Sequence, residues 1–351
     1  MAEREAQPGA GAGAPRVIVA GATGFAGALA AQLLWRHPGF ELTAVTGRSE
    51  LGRPLAELYP RYRVPLAVEE LDLGLFGSPA HPIDAAIVAY PHAAAAPTVA
   101  ALRESGARVV DLSADFRLAS LGTYERWYGP HPQPELLEQA VYGLTELHRE
   151  AIARAAIVAN PGCYPTASVL ALAPLARAGL IADVVIDAKQ GISGAGRAFD
   201  EQTHLSLAGE NILPYKVAAH RHTPEIEEQL ALLMPTHPDL RVQFQASLVP
   251  LDQGELASCY VTPTRPVGPE ELHDLFADAY AEEMFVEVVS EPPGTREVLA
   301  TNFCRIFAAA DQHTGKVLVF ASIDNLWKGT SSQAVQNLNV MFGLPEGEGI
   351  S

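Results

Sequence analysis

With 351 residues, 48% of them hydrophobic and 19% charged, the chain is long enough to fold around two cores. Three cysteines exclude a disulfide scaffold and fit a reducing compartment. A formal net charge of −17 argues against nucleic acid or an anionic membrane as partner. It leaves an anionic small substrate open, because local donors decide a pocket.

Residues 1–15, "MAEREAQPGAGAGAP", lack the apolar stretch of a secretory signal and read as a disordered tail. No run reaches the roughly 18 apolar residues of a membrane span. The expectation is a soluble, cytoplasmic protein.

Arg16 to Ala20 reads as a strand, Gly21 to Gly27 as a glycine loop, and Phe25 to Arg36 as a helix ended by Gly39. "FELTAVTGR" supplies the next strand. The alternation continues with strands at 84–90, 107–112 and 155–159 and a helix at 94–105. That is the signature of a parallel, Rossmann-type sheet, and it predicts a dinucleotide-binding domain over 16–162. From Cys163 a helix runs to about Arg177, followed by "DVVIDAKQGISGAGR" and a polar, irregular stretch to Ile226. Strands at 241–251, 256–262, 284–289, 302–310 and 316–323, with one helix at 269–283, predict a mostly antiparallel sheet. Residues 163–324 are therefore read as an α+β catalytic and oligomerisation domain. A last helix within 325–345 returns to the first domain.

"GATGFAG" follows a strand and opens a helix, the context in which glycines at 21, 24 and 27 approach a pyrophosphate. Gly21, Thr23, Gly24, Phe25 and Gly27 are the candidate contacts. At the end of the second strand, "VTGRSE" presents Arg48 and Ser49, which suit the 2′-phosphate of NADP. Glu50 keeps an NAD reading open.

Cys163, in "NPGCYPT", stands at a helix start, where the local positive field lowers a thiol's pKa. Cys259 and Cys304 sit in strand patterns and read as packing. In "AAHRHTPEI", His220 and His222 share a face and offer acid–base partners. A His-x-His metal pair lacks a third ligand at recognisable spacing, so no metal is expected; a surface patch is the other alternative. His131, His148 and His204 read as surface residues. "QGISGAGR" is a second glycine loop whose N–H groups, with Ser193, Gly194 and Arg197, offer an anion concavity, or else a flexible connection.

These motifs, together with "DLSADFRL", "YGLTEL" and "DNLWKG…QAVQNLN", resemble the N-acetyl-gamma-glutamyl-phosphate reductases of the semialdehyde dehydrogenase group, from about Arg16 to Phe342. The resemblance implies that Cys163 is the nucleophile and His220 and His222 serve acid–base or binding roles. It implies Ser113, Arg117, Asn160 and Arg197 near substrate, and Ser193, Gly194, Asn325 and Lys328 near the cofactor. It further implies NADPH-dependent reduction of an acyl phosphate; exposed strands in the second domain lead to the expectation of a homodimer or homotetramer. "YPHA", "YGLTE" and "KGTSSQA" depart from the family's usual "LPHG", "YGLPE" and "KGAAGQA". An N-acetyl-aminoadipyl phosphate substrate and a non-catalytic NADP sensor are the rival readings.

Overall fold

Short, largely buried strands separated by helices build the first of two units. The computed structural model describes residues 7, 11, 13–74, 76–78, 81–198, 201–234 and 239–351. They divide into Met1–Pro161 with Thr330–Ser351, and Gly162–Gly329.

In the first unit the elements are β1 (Arg16–Ala20), α1 (Phe25–Arg36), β2 (Glu41–Thr46), α2 (Leu55–Leu58), β3 (Val68–Glu69) and β4 (Ala85–Val88). They continue with α3 (Ala96–Glu104), β5 (Arg108–Asp111), α4 (Leu121–Tyr128), β6 (Ala140–Tyr142), α5 (Thr145–Arg154) and β7 (Ile157–Ala159). All strands pair in parallel, in the order β3-β2-β1-β4-β5-β7-β6. Helices on both faces explain why β4 is buried at every position, rather than alternating. Ile18, Val88, Val99, Leu102, Val109 and Ile157 form part of one core. The strand order switches direction between β1 and β4, which opens the ligand crevice of such sheets at the carboxyl ends.

The second unit begins with α6 (Cys163–Arg177) and β8 (Ile181–Gly191), then α7 (Leu205–Ala208), β9 (Leu213–Tyr215), α8 (Thr223–Leu233) and β10 (Val242–Val249). β11 (Glu255–Pro263), α9 (Pro269–Tyr280), β12 (Val286–Val288), β13 (Cys304–Asp311) and β14 (Lys316–Ile323) complete it. Its sheet runs β12-β13-β14-β11-β8-β10-β9. β12–β13 and β8–β10 are parallel; the remaining neighbours are antiparallel. The helix α10 (Ser332–Phe342) packs with α1, α5 and β5 in the first unit. It starts after a π-helical turn at Trp327–Ser331 and ends on left-handed Gly343, whose N–H donates to the Val340 carbonyl.

α4, α5, β6 and α8 have no counterpart in the sequence reading. β6 is a three-residue edge strand. α8 begins inside the stretch read as irregular; Pro224 is tolerated in its first turn because that N–H would be unsatisfied anyway. His131, read as a surface residue, is buried, with Nε2 bonded at 2.6 Å to the Asp115 carbonyl. Most of the tail 1–15 lies outside the described residues. Within it, the Gln7 amide donates to the Phe40 carbonyl and accepts from Leu42 N–H, each at 2.7 Å. No helix among the described residues is long and apolar enough to cross a membrane.

Candidate active site

The site in the second unit grows from the first turn of α6. Gly162 caps the helix with extended backbone and donates its N–H to Glu225 Oε1 on α8 at 2.9 Å. Cys163 follows as the first helical residue, partly exposed. Its sulfur accepts from Gln190 Nε2 at 2.9 Å and from the Tyr164 N–H. Two neighbours must be glycine for this arrangement. A Cβ on Gly194 would lie 2.3 Å from Gln190 Cδ, so the bare loop lets the amide fold toward the sulfur. A Cβ on Gly329 would lie 2.8 Å from that of Cys163.

The expected lowering of the thiol's pKa is not found. The helix start and the Gln190 donor favour the thiolate, but burial and the Glu255 carboxyl outweigh them and push the thiol well up. Glu255 is itself raised to about 8, chiefly by burial, with the Asp324 charge adding to it.

Beside Cys163 and its neighbour Tyr164 lies an aromatic cluster. The rings of His220 and His222 are 4.9 Å apart, and both meet Tyr164 edge-on. The Tyr215 hydroxyl lies 3.2 Å from that of Tyr164 and 3.4 Å from His220 Nε2. The His222 N–H donates to His220 Nδ1 at 3.2 Å, which assigns the ring proton to Nε2. Burial, aided by Lys216, lowers His220 to about 4. It is therefore a neutral imidazole at working pH.

Several residues implied as binding groups also make internal contacts. Asn325 donates to Ser193 Oγ at 3.0 Å and accepts from Gly254 N–H at 2.8 Å, bracing the second glycine loop. Lys328 is completely buried, its ammonium 5.7 Å from the Phe285 ring centre. Arg197 is exposed. In the first unit, Ser113 Oγ donates to Asp111 at 2.6 Å and accepts from Asp115 N–H at 3.0 Å, so its hydroxyl faces inward. Burial raises Asp111 to about 7. Arg117 donates to the Asn160 and Leu112 carbonyls, each at 2.7 Å. Asn160 is fully buried, its side chain bonded to the Thr330 carbonyl and to Asn337. Ser113, Arg117 and Asn160 thus lock the ends of β5 and β7.

The first glycine loop fits a dinucleotide. Gly21 (φ 92°) and Gly27 interlock: a Cβ on Gly27 would lie 2.2 Å from the Gly21 carbonyl oxygen. Gly24, the N-cap of α1, has only the Gly21 oxygen near its missing Cβ, at 3.8 Å. That opening, at a helix start with no acidic residue in its first turn, suits a pyrophosphate. Thr23 supplies the carbonyl that receives the Tyr59 hydroxyl at 2.9 Å, and Phe25 meets the Tyr59 ring edge-on. Arg48 and Ser49 are exposed after β2. Arg48 lies over the Tyr90 ring at 4.8 Å and lines a cavity of about 220 Å³ with Gly47, Glu70, Leu71, Tyr90 and Thr98. Glu50 is held by Arg53 at 2.7 Å.

Residues 16–155 match the semialdehyde dehydrogenase NAD binding domain, and residues 163–325 match the semialdehyde dehydrogenase dimerisation domain. An N-acetyl-gamma-glutamyl-phosphate reductase of Desulforudis audaxviator is 47% identical over 95% of this chain and 97% of that protein. Its counterpart in Moorella thermoacetica is 45% identical over 93% and 95%. The chain belongs to the N-acetyl-gamma-glutamyl-phosphate reductase family. Solved aspartate semialdehyde dehydrogenases share its fold. One from Vibrio cholerae superposes with a TM-score of 0.71 at 18% identity, over 94% of this chain and 98% of that one. One from Candida albicans, solved with NADP, gives 0.67 at 16% identity, over 94% and 98%.

For a reductase of this family, Gln190, Glu225 and Glu255 are the site residues that sequence reasoning missed. Glu255 did leave a signal: it occupies the buried phase of a strand whose next same-face residues are Ala257, Cys259 and Val261. Glu225 sits in the histidine motif itself. Gln190 opens the second glycine loop, where attention goes to the glycines.

Proposed function

We propose that this chain reduces N-acetyl-L-glutamyl 5-phosphate to N-acetyl-L-glutamate 5-semialdehyde and phosphate, with NADPH as reductant, in arginine biosynthesis. The observation that carries this reading is the identity of 43–47% to reductases of that name over 93–96% of the chain. The geometry supports the reaction type: a cysteine at a helix start, faced by a side-chain donor, whose neighbour Tyr164 packs against a neutral histidine.

Cys163 attacks the acyl carbonyl, and phosphate leaves with the electrons of the C–O bond. The thioester stays on the sulfur, where the N–H of Cys163, in the first turn of α6, offers a donor to a tetrahedral oxyanion. Bound NADPH supplies the hydride that reduces the Cys163 thioester. The resulting thiohemiacetal collapses to aldehyde as the C–S bond breaks. His220, neutral with its proton on Nε2, donates a hydrogen bond or accepts a proton rather than acting as a standing cation. The dimerisation-domain match supports a homodimer as the working form.

The test is phosphate-dependent reduction of NADP by the purified protein with each of two semialdehydes. N-acetyl-glutamate semialdehyde is expected to react efficiently, and the homologue longer by one methylene poorly. The reverse preference points to the aminoadipyl reading, and inactivity with both points to a sensor.

Glu50 is engaged by Arg53, so Arg48 is the group that favours NADPH over NADH. Arg48→Ala is expected to weaken NADPH binding about tenfold, the scale of one lost charge-assisted contact, and to leave NADH nearly unchanged. Fluorescence titration with both cofactors decides it. Equal losses sink the assignment.

A further inference from the structure

Just after β4, at the carboxyl end of the parallel sheet, the chain places a bulky ring. Tyr90 is 8% exposed, and its backbone is fixed on both sides. Upstream, the Ala89 N–H donates to the Ala20 carbonyl at the end of β1 at 2.7 Å. Downstream, Ala93 adopts a left-handed φ of 63°, held by its N–H bond to Asp115 Oδ1 at 2.7 Å. That carboxylate is itself braced, because it also accepts from the Ala96 N–H at 2.9 Å and the Tyr124 hydroxyl at 2.8 Å. The ring stands on a rigid platform.

Two contacts define what the ring touches. On one side is the glycine loop: a Cβ on Gly21 would lie 3.2 Å from Tyr90 Cδ1 and 2.7 Å from the Ala89 carbonyl oxygen, so the bare Cα admits this approach. The other is Arg48, whose guanidinium carbon lies 4.8 Å from the ring centre. Ring and guanidinium line the same cavity of about 220 Å³, with Glu70, Leu71 and Thr98. A cation at that distance is attracted by the ring's negative face. The attraction needs no oxygen acceptor, so the fork of N–H donors is left for an anion. A carboxylate partner such as Glu70 would instead fill that fork and repel a phosphate.

From this juxtaposition we infer that Tyr90 is a specificity-determining residue: its ring positions Arg48 and thereby sets the preference for NADPH over NADH. The inference rests on Arg48 being the group that reads the extra phosphate of NADPH, and Tyr90 acts only through it. Arg48 is exposed, and an exposed arginine otherwise spreads over many rotamers. Holding it in place before the cofactor arrives removes part of the ordering cost of binding. Packed on the glycine loop and on Arg48 alike, the ring also fixes the spacing between the pyrophosphate cradle and the cation.

The test is fluorescence titration of the full-length protein with NADPH and with NADH. Tyr90→Leu keeps apolar bulk and removes the π face. It is expected to weaken NADPH binding about two- to fivefold, the range for an exposed cation–π contact, and to leave NADH unchanged. Tyr90→Phe is expected to retain the wild-type preference. In an Arg48→Ala background, Tyr90→Leu is expected to cause no further loss, because both substitutions break one contact. If Tyr90→Leu does not fold, a trifluorinated phenylalanine in place of Tyr90, compared with Tyr90→Phe, decides. It keeps the shape but loses the negative face, and the NADPH preference is expected to fall by the same factor. Equal losses for the two cofactors, or an undiminished preference once the π face is gone, overturn the inference while Arg48→Ala still discriminates. An Arg48→Ala protein that loses NADPH and NADH alike removes the cofactor assignment itself, and the role of Tyr90 with it.

Discussion

Cys163→Ala is expected to abolish acyl-phosphate reduction while NADPH binding is retained. The cofactor loop, Gly21 to Gly27, is built from β1 and α1 in the first unit, and the cysteine belongs to the second. Removing the sulfur therefore deletes the acyl acceptor without disturbing the pyrophosphate cradle. Cys163→Ser is expected to fail as well, since a hydroxyl is hardly ionised at neutral pH and is a poor leaving group in the collapse. With acyl phosphate and no NADPH, wild type is expected to hold the acyl group as a thioester on the Cys163 peptide. Cys259 and Cys304 are buried, and burial pushes Cys259 up to about 12, so neither competes for the label. Intact-mass and peptide mass spectrometry reads the adduct. An active Cys163→Ala protein would return the residue to packing.

Replacing His220 with Asn is expected to lower kcat by about 10²–10⁴-fold, the range for a lost acid–base group. His222→Asn is expected to act mainly on KM, because its ring flanks His220 rather than occupying the buried position. If His222 carries the larger kcat loss, the two roles are exchanged. The pH dependence has a definite sign. His220 titrates near 4 when folded and near 6.5 when unfolded, so the unfolded chain binds more protons between those values. Its contribution to stability is complete above about pH 6.5 and declines as pH falls toward about 4. His220→Asn is expected to remove that part of the acid sensitivity, measured as the difference between denaturation midpoints at about pH 7 and about pH 5.

The local patterns were legible because their physics is local. β1 and α1 begin and end where the sequence places them, since a fully apolar run, three glycines and a helix-length segment follow one another without help from distant residues. The start of α6 at Cys163 was legible for the same reason: Gly162 caps it and Pro165 suits its first turn. The irregular reading that runs from after Arg197 to Ile226 hid the start of α8, which is polar and whose apolar residues find their face only when packed on α6.

Composition, the glycine loop, the position of Cys163 at a helix start and the family were determined by the sequence itself. Only the tertiary structure decided what surrounds the sulfur. Strand register sets Glu255 opposite Gln190, and burial of the thiol, with that carboxyl adding to it, outweighs the helix start that argued for a low thiol pKa. Just past the ends of β5 and β7, Ser113 and Asn160 turn inward, where their hydrogen bonds close those strands. A residue's type and spacing state what chemistry it can do. Its partners and its dielectric surroundings, brought from distant parts of the chain, decide which protonation state it holds.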